Sequence, residues 1–231
     1  MMQAGKPVDG RAAGLMIVLC AIWGFQQVTL KAAALDVAPL FQLALRSGGA
    51  AVLVLLLMAM RRERLNPGPG LWRPGLAVGM LFSLEFLLVG EGLRYTTASH
   101  MVVFLYTAPI FAALGLHYFL PHERLTRMQW LGILVAFAGT ATAFSGKLFE
   151  PGGSQQLLGD ALGLLGAIAW AATTLTVRCT GLAKASATQV LLYQLVGAFM
   201  LLLTASVVTG QAHFTPTPIA VASLVFQTLV V

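Results

Sequence analysis

Seven apolar runs, each long enough to cross a bilayer, follow one another along almost the whole chain. They cover residues 12–33, 38–60, 74–95, 97–120, 128–146, 157–180 and 188–209, and an eighth begins near Ile219 and meets the C-terminus. A hydrocarbon core about 30 Å thick is crossed by ~20 helical residues. Backbone groups in lipid are satisfied only within helices or closed barrels. Barrel strands would be alternating segments of ~10 residues, not continuous apolar runs. The expected fold class is therefore an all-α polytopic membrane protein with seven to eight spans present. Only 10% of residues are charged and mean hydropathy is +0.84, where soluble domains carry about a quarter charged residues.

The net charge of +6 does not point to nucleic acid, because its placement follows the membrane. With the N-terminus on the cytoplasmic side, Lys6, Arg11, Arg61, Arg62, Arg64, Arg73, Arg124, Arg127, Arg178 and Lys184 lie inside. Only Lys31, Arg94 and Lys147 fall outside, and Arg46 is left within a span. This asymmetry is the positive-inside pattern. It predicts a multi-pass protein of the plasma (inner) membrane with membrane lipid as its surroundings, and it makes the stretch 61–64 a cytoplasmic anchor. Cys20 and Cys179 read as small apolar residues on the reducing side, with no disulfide or metal framework. Ala32-Ala33-Ala34 could pass for a signal-peptide cleavage site. Gln26, Gln27 and Thr29 within the preceding run weigh against that, as does a counterpart of this run later in the chain.

That counterpart suggests a duplication. Trp23 and Trp170 stand 147 positions apart, and so do Lys31 and Arg178, and Gln42 and Gln189. A unit of five spans is odd-numbered, so its second copy would enter the membrane inverted, with a solute site at the repeat interface. Residues 1–150 are then a first repeat (spans 1–5) and residues 151–231 a partial second (spans 6–7 and the start of span 8). On this reading the sequence is a fragment of a ten-span protein, its second repeat truncated. The connections at Asn66–Gly70 and Glu150–Gly153 have no room for a soluble domain. Gly75 and Gly79, and the series Gly159, Gly163, Ala167 and Ala171, are suited to close helix packing.

Several local sequences resemble those of the EamA-like family of the drug/metabolite transporter superfamily. They are Trp23-Gly24, Tyr95-Thr-Thr-Ala-Ser99, Tyr106-Thr-Ala-Pro109, His122-Glu-Arg-Leu-Thr126 and Gln129-Trp-Leu-Gly132, with Gly139 beyond. His122 stands where the family usually has glycine. The resemblance implies ten helices in two inverted five-helix halves, and export or exchange of small metabolites such as amino acids. It also implies a structural role for Glu123.

The sequence carries no HExxH, GxSxG, CxxC or phosphate-cradling loop, so no enzyme activity and no cofactor are expected. His117 and His122-Glu123 match no metal spacing and read as interfacial polar residues. Polar side chains within spans are costly and are usually paired or functional. By the 1.5 Å helical rise, Arg46 lies roughly 12 Å below the outer edge and Glu85 roughly 16 Å above the inner one. Their depths nearly coincide, so they are expected to meet or to face one cavity. Trp23, Gln27, Arg46, Glu85, Tyr106, Trp170 and Tyr193 are the candidate substrate-binding residues, and Pro109 can open the helix beside Tyr106. Gln26, Thr107, Thr173, Thr174 and Gln194 lie at similar depth. The expected function is alternating-access transport of a small-molecule substrate. A membrane sensor or assembly subunit, an inactive truncated transporter and, more remotely, an intramembrane enzyme are the other readings the sequence leaves open. It fixes neither the coupling ion nor the oligomeric state.

Overall fold

The computed structural model describes residues 10–65, 68, 70–120, 125–143, 145 and 153–231. Lys6, His122-Glu123-Arg124, most of the 66–70 connection, Lys147 and the start of the 150–153 connection lie outside them.

The described chain is helical: α1 (Gly10–Ala32), α2 (Pro39–Met60), α3 (Trp72–Tyr95), α4 (Ala98–Leu105), α5 (Ala108–Phe119), α6 (Arg127–Ala143), α7 (Ser154–Cys179), α8 (Ala187–Val208) and α9 (Pro218–Leu229). Among the described residues, six segments are long and apolar enough to cross a membrane: Ala13–Ala32, Pro39–Met60, Trp72–Tyr95, Ala98–Phe119, Ser154–Cys179 and Ala187–Val208. The protein is thus a multi-pass, all-helical membrane protein. The fifth predicted span corresponds to α6, which is 17 residues long as described, and the eighth to the shorter apolar helix α9.

Local chemistry sets the helix boundaries. Thr97, Ser186 and Thr217 cap α4, α8 and α9, each side chain accepting from a backbone N–H three residues on. Such caps satisfy donors that a helix start leaves open. Helix α2 ends where the Glu63 N–H reaches the Met58 carbonyl and the Arg62 N–H reaches that of Ala59. This Schellman-type closure puts Arg62 at φ 54°, a left-handed position that glycine usually fills.

The fourth predicted span is broken. Helix α4 stops at Leu105, Tyr106 and Thr107 form a turn, and α5 starts at Ala108 with Pro109 in its first turn. Pro109 has no N–H to give the Leu105 carbonyl, and the Thr107 hydroxyl bonds the Phe104 carbonyl at 2.6 Å.

Helix α3 lies along α7 and α8, α2 lies along α8, and α4 and α5 lie along α7. Small residues make these contacts close. A Cβ added to Gly79 would sit 2.7 Å from the Tyr193 carbonyl oxygen, and one added to Gly197 would sit 2.8 Å from the backbone of Gly79. The buried core gathers Leu30, Leu40, Leu43, Phe86, Val89, Leu93, Met101 and Leu202 from α1, α2, α3, α4 and α8. Apolar side chains such as Leu15, Ile17, Met80 and Val135 face outward. In a bilayer that outer surface meets acyl chains instead of water.

Candidate functional site

One end of the bundle, here termed the basic end, carries Arg61, Arg62, Arg64, Arg73, Arg178 and Lys184. A cavity of about 620 Å³ runs from the middle of the bundle toward this end, a volume typical of small-molecule sites. Its deep wall is formed by Trp23, Gln26 and Gln27 of α1, Arg46 of α2, Phe82, Glu85 and Phe86 of α3, Tyr106 of the α4–α5 turn, Trp170 and Thr173 of α7, and Gln227 of α9. Toward the basic end the lining passes to Leu53, Val177, Arg178, Leu191 and Val231, all but Val177 exposed. From the opposite end inward, the first cavity residue met on α7 is Trp170, and on α8 it is Leu195.

The deep wall combines aromatic surface with hydrogen-bonding groups. The Trp23 and Trp170 rings meet edge to face, centroids 5.8 Å apart at 89°. Tyr106 lies 6.4 Å from Trp170 and sits there because of the break after Leu105. Arg46 and Glu85 are both buried, yet no ion pair within 4.0 Å joins them among the described residues. The Arg46 guanidinium instead lies over the Phe86 ring, 4.3 Å from its centroid. Five buried side chains of this wall each have one atom without a hydrogen-bond partner among the described residues: Gln26 Nε2, Gln27 Oε1, Arg46 Nε, Glu85 Oε2 and Gln227 Oε1. Buried polar atoms are normally paired, and each exception calls for a cause. A cavity that admits water or a polar solute supplies one.

Six of the seven predicted residues therefore line one cavity: Trp23, Gln27, Arg46, Glu85, Tyr106 and Trp170. Tyr193 does not. Its ring covers Gly75, where an added Cβ would lie 2.7 Å from ring carbons, and it lines a separate apolar groove between α3 and α8. One residue along a helix is about 100° round its axis, so Gln194, not Tyr193, reaches the cavity. Phe82, Phe86 and Gln227 were not singled out from sequence. Phe86 adjoins Glu85 in the chain, Phe82 lies about one turn before it, and Gln227 is the lone amide in α9, which were the available signals.

Among the described residues no group of three or more His, Cys, Asp or Glu side chains could hold a metal ion. His117 packs against Trp130, ring centroids 6.4 Å apart. Cys20 and Cys179 are free thiols on exposed positions.

A helical bundle of membrane spans around a solute-sized, partly polar cavity defines the class: a polytopic membrane protein with an internal cavity. The EamA-like transporter family matches residues 10–145, more than half of the chain, and the chain belongs to that family. A solved crystal structure, described only as that of a protein, aligns with a TM-score of 0.67 at 20% identity, covering 92% of this chain and 74% of its own. That likeness concerns the fold alone. No curated protein matches the chain.

Proposed function

We propose that this protein exports or exchanges small organic metabolites such as amino acids by alternating access, with the cavity as its solute site. The observation that carries the reading is the pairing of a buried cation, Arg46, with a buried carboxylate, Glu85, on one cavity wall without an ion pair between them. A solute with an anionic and a cationic group compensates both. Arg46 receives the solute's carboxylate, Glu85 receives its ammonium, and Gln26, Gln27 and Gln227 take the remaining hydrogen bonds. Trp23, Tyr106 and Trp170 pack against its apolar part. Guanidinium suits carboxylates because its donors form a planar fork.

By the positive-inside pattern the basic end lies in the cytoplasm, the membrane is the inner one, and the cavity faces inward. Residues 1–150 and 151–231 belong to two inverted units, which bring Trp23 and Trp170 together at their interface. The test is counterflow in proteoliposomes preloaded with a mixture of amino acids. Accumulation of a labelled amino acid is expected, with loss in Arg46→Met and in Glu85→Gln. Equal accumulation in protein-free vesicles, or undiminished counterflow in both variants, overturns the assignment.

A further inference from the structure

We propose that the end of the bundle opposite the basic end is closed by a polar latch centred on Asp160, and that this latch is the gate that opens when the cavity faces the other side. The inference rests on the transporter reading for its purpose but on separate residues for its content. Asp160 of α7 accepts a hydrogen bond from the Thr96 hydroxyl at 2.6 Å. Its two carboxylate oxygens lie 3.1 and 3.0 Å from His100 Nδ1. The Gln156 amide lies 3.0 Å from His100 Nε2. Lys31, at the end of α1, donates to the Leu93 carbonyl and to the Thr96 carbonyl, the latter at 3.2 Å. Thr96, His100 and Asp160 are all buried. One chain of contacts therefore ties together the same ends of α1, α3, α4 and α7.

A second tie lies beside it. Asp36, in the α1–α2 connection, accepts from the Thr217 hydroxyl at 2.6 Å, and its carbonyl accepts from the Thr215 N–H at 2.9 Å. The helices so joined are the ones that carry the deep cavity wall. Asp160 shares α7 with Trp170, Thr96 follows α3 with its Glu85, and Lys31 shares α1 with Trp23 and Gln27. Parting the latch therefore moves cavity residues with it. Hydrogen bonds of this kind are individually modest and exchange readily with water, so a polar seal can open and close where an interdigitated apolar one would hold. The contact is also backbone-close: a Cβ on Gly159 would lie 2.7 Å from Thr96 Cβ and 2.8 Å from its backbone nitrogen.

The experiment reads conformation, not transport, so it needs no known substrate. Cys20 and Cys179 are replaced by serine, Thr174→Cys reports from the cavity lining, where that residue is partly accessible, and a membrane-impermeant thiol reagent is applied from each face of the membrane in turn. The parent is expected to label from the cytoplasmic face. Thr96→Val and Asp160→Ala should raise labelling from the external face several-fold and lower it from the cytoplasmic face. Gly159→Ala, which removes no polar group but wedges the contact, should do the same, whereas Thr96→Ser keeps the hydroxyl and should behave as the parent. Unchanged external labelling in variants that melt like the parent overturns the latch, even if counterflow is present. A rise in external labelling without counterflow in any variant upholds the latch and tells against the transporter reading alone.

Discussion

Replacing Arg46 and Glu85 by methionine, singly and together, separates a working site from a structural ion pair. A buried pair that holds a bundle loses about 3–5 kcal/mol when one partner is removed, because the other charge is stranded. Here the two side chains make no ion pair within 4.0 Å among the described residues, and Arg46 Nε and Glu85 Oε2 each lack a hydrogen-bond partner there. What Arg46→Met forfeits is the guanidinium–Phe86 contact at 4.3 Å, an interaction of about 0.5–2 kcal/mol. Against that, methionine introduces no unpartnered polar atom at a site where an unmade hydrogen bond costs ~1–3 kcal/mol. The two terms nearly cancel, so the expected net change for Arg46→Met is within about 2 kcal/mol. Glu85→Met forfeits no aromatic contact of this kind and removes the unpartnered Oε2, so it should cost no more. Both singles and the double should therefore keep their melting temperature in detergent to within a few degrees while losing counterflow. Scanning fluorimetry and proteoliposome counterflow measure the two quantities. If the single variants fall by 3 kcal/mol or more while the double variant recovers, the residues form a structural pair and the reasoning above is wrong.

Other substitutions test the packing and the helix break. Gly79→Leu should lower stability by at least ~1–3 kcal/mol, the range for overpacking, since an added Cβ already lies 2.7 Å from the Tyr193 carbonyl oxygen; thermal unfolding checks it. Pro109→Ala restores a donor for the Leu105 carbonyl and should straighten α4 into α5, reducing counterflow with folding intact. Arg62→Gly should raise stability by about 0.5–1 kcal/mol, because φ 54° strains any residue with a Cβ. Ser223→Ala removes the hydroxyl that receives the amides of Gln42 and Gln227, at 2.5 and 3.0 Å, and should cost ~1–3 kcal/mol for stranded buried donors.

Span positions were legible because the bilayer demands about 20 apolar residues whatever the tertiary packing, and the depths of Arg46 and Glu85 followed from the fixed helical rise. Rotation about each helix axis was less legible. It decides which of two adjacent residues reaches the cavity, and nearly uniform apolarity leaves no amphipathic stripe to reveal it. Tyr193 and Gln194 show the consequence. Both lie at the right depth, but α8 meets α3 backbone to backbone at Gly79 and Gly197, which turns Tyr193 onto Gly75 and leaves Gln194 to the cavity. The glycines of α3 were visible in the sequence, and only their partner on α8 was not. The contacts around Asp160 escaped for a related reason. They join α3, α4 and α7 near their ends, where polar residues are ordinary and give no alarm. A carboxylate about one turn into the apolar run 157–180 was the available cue. Polar groups at mid-depth thus advertise a solute site through their cost, whereas those that seal an end are camouflaged by proximity to water and emerge only once the helices have been packed.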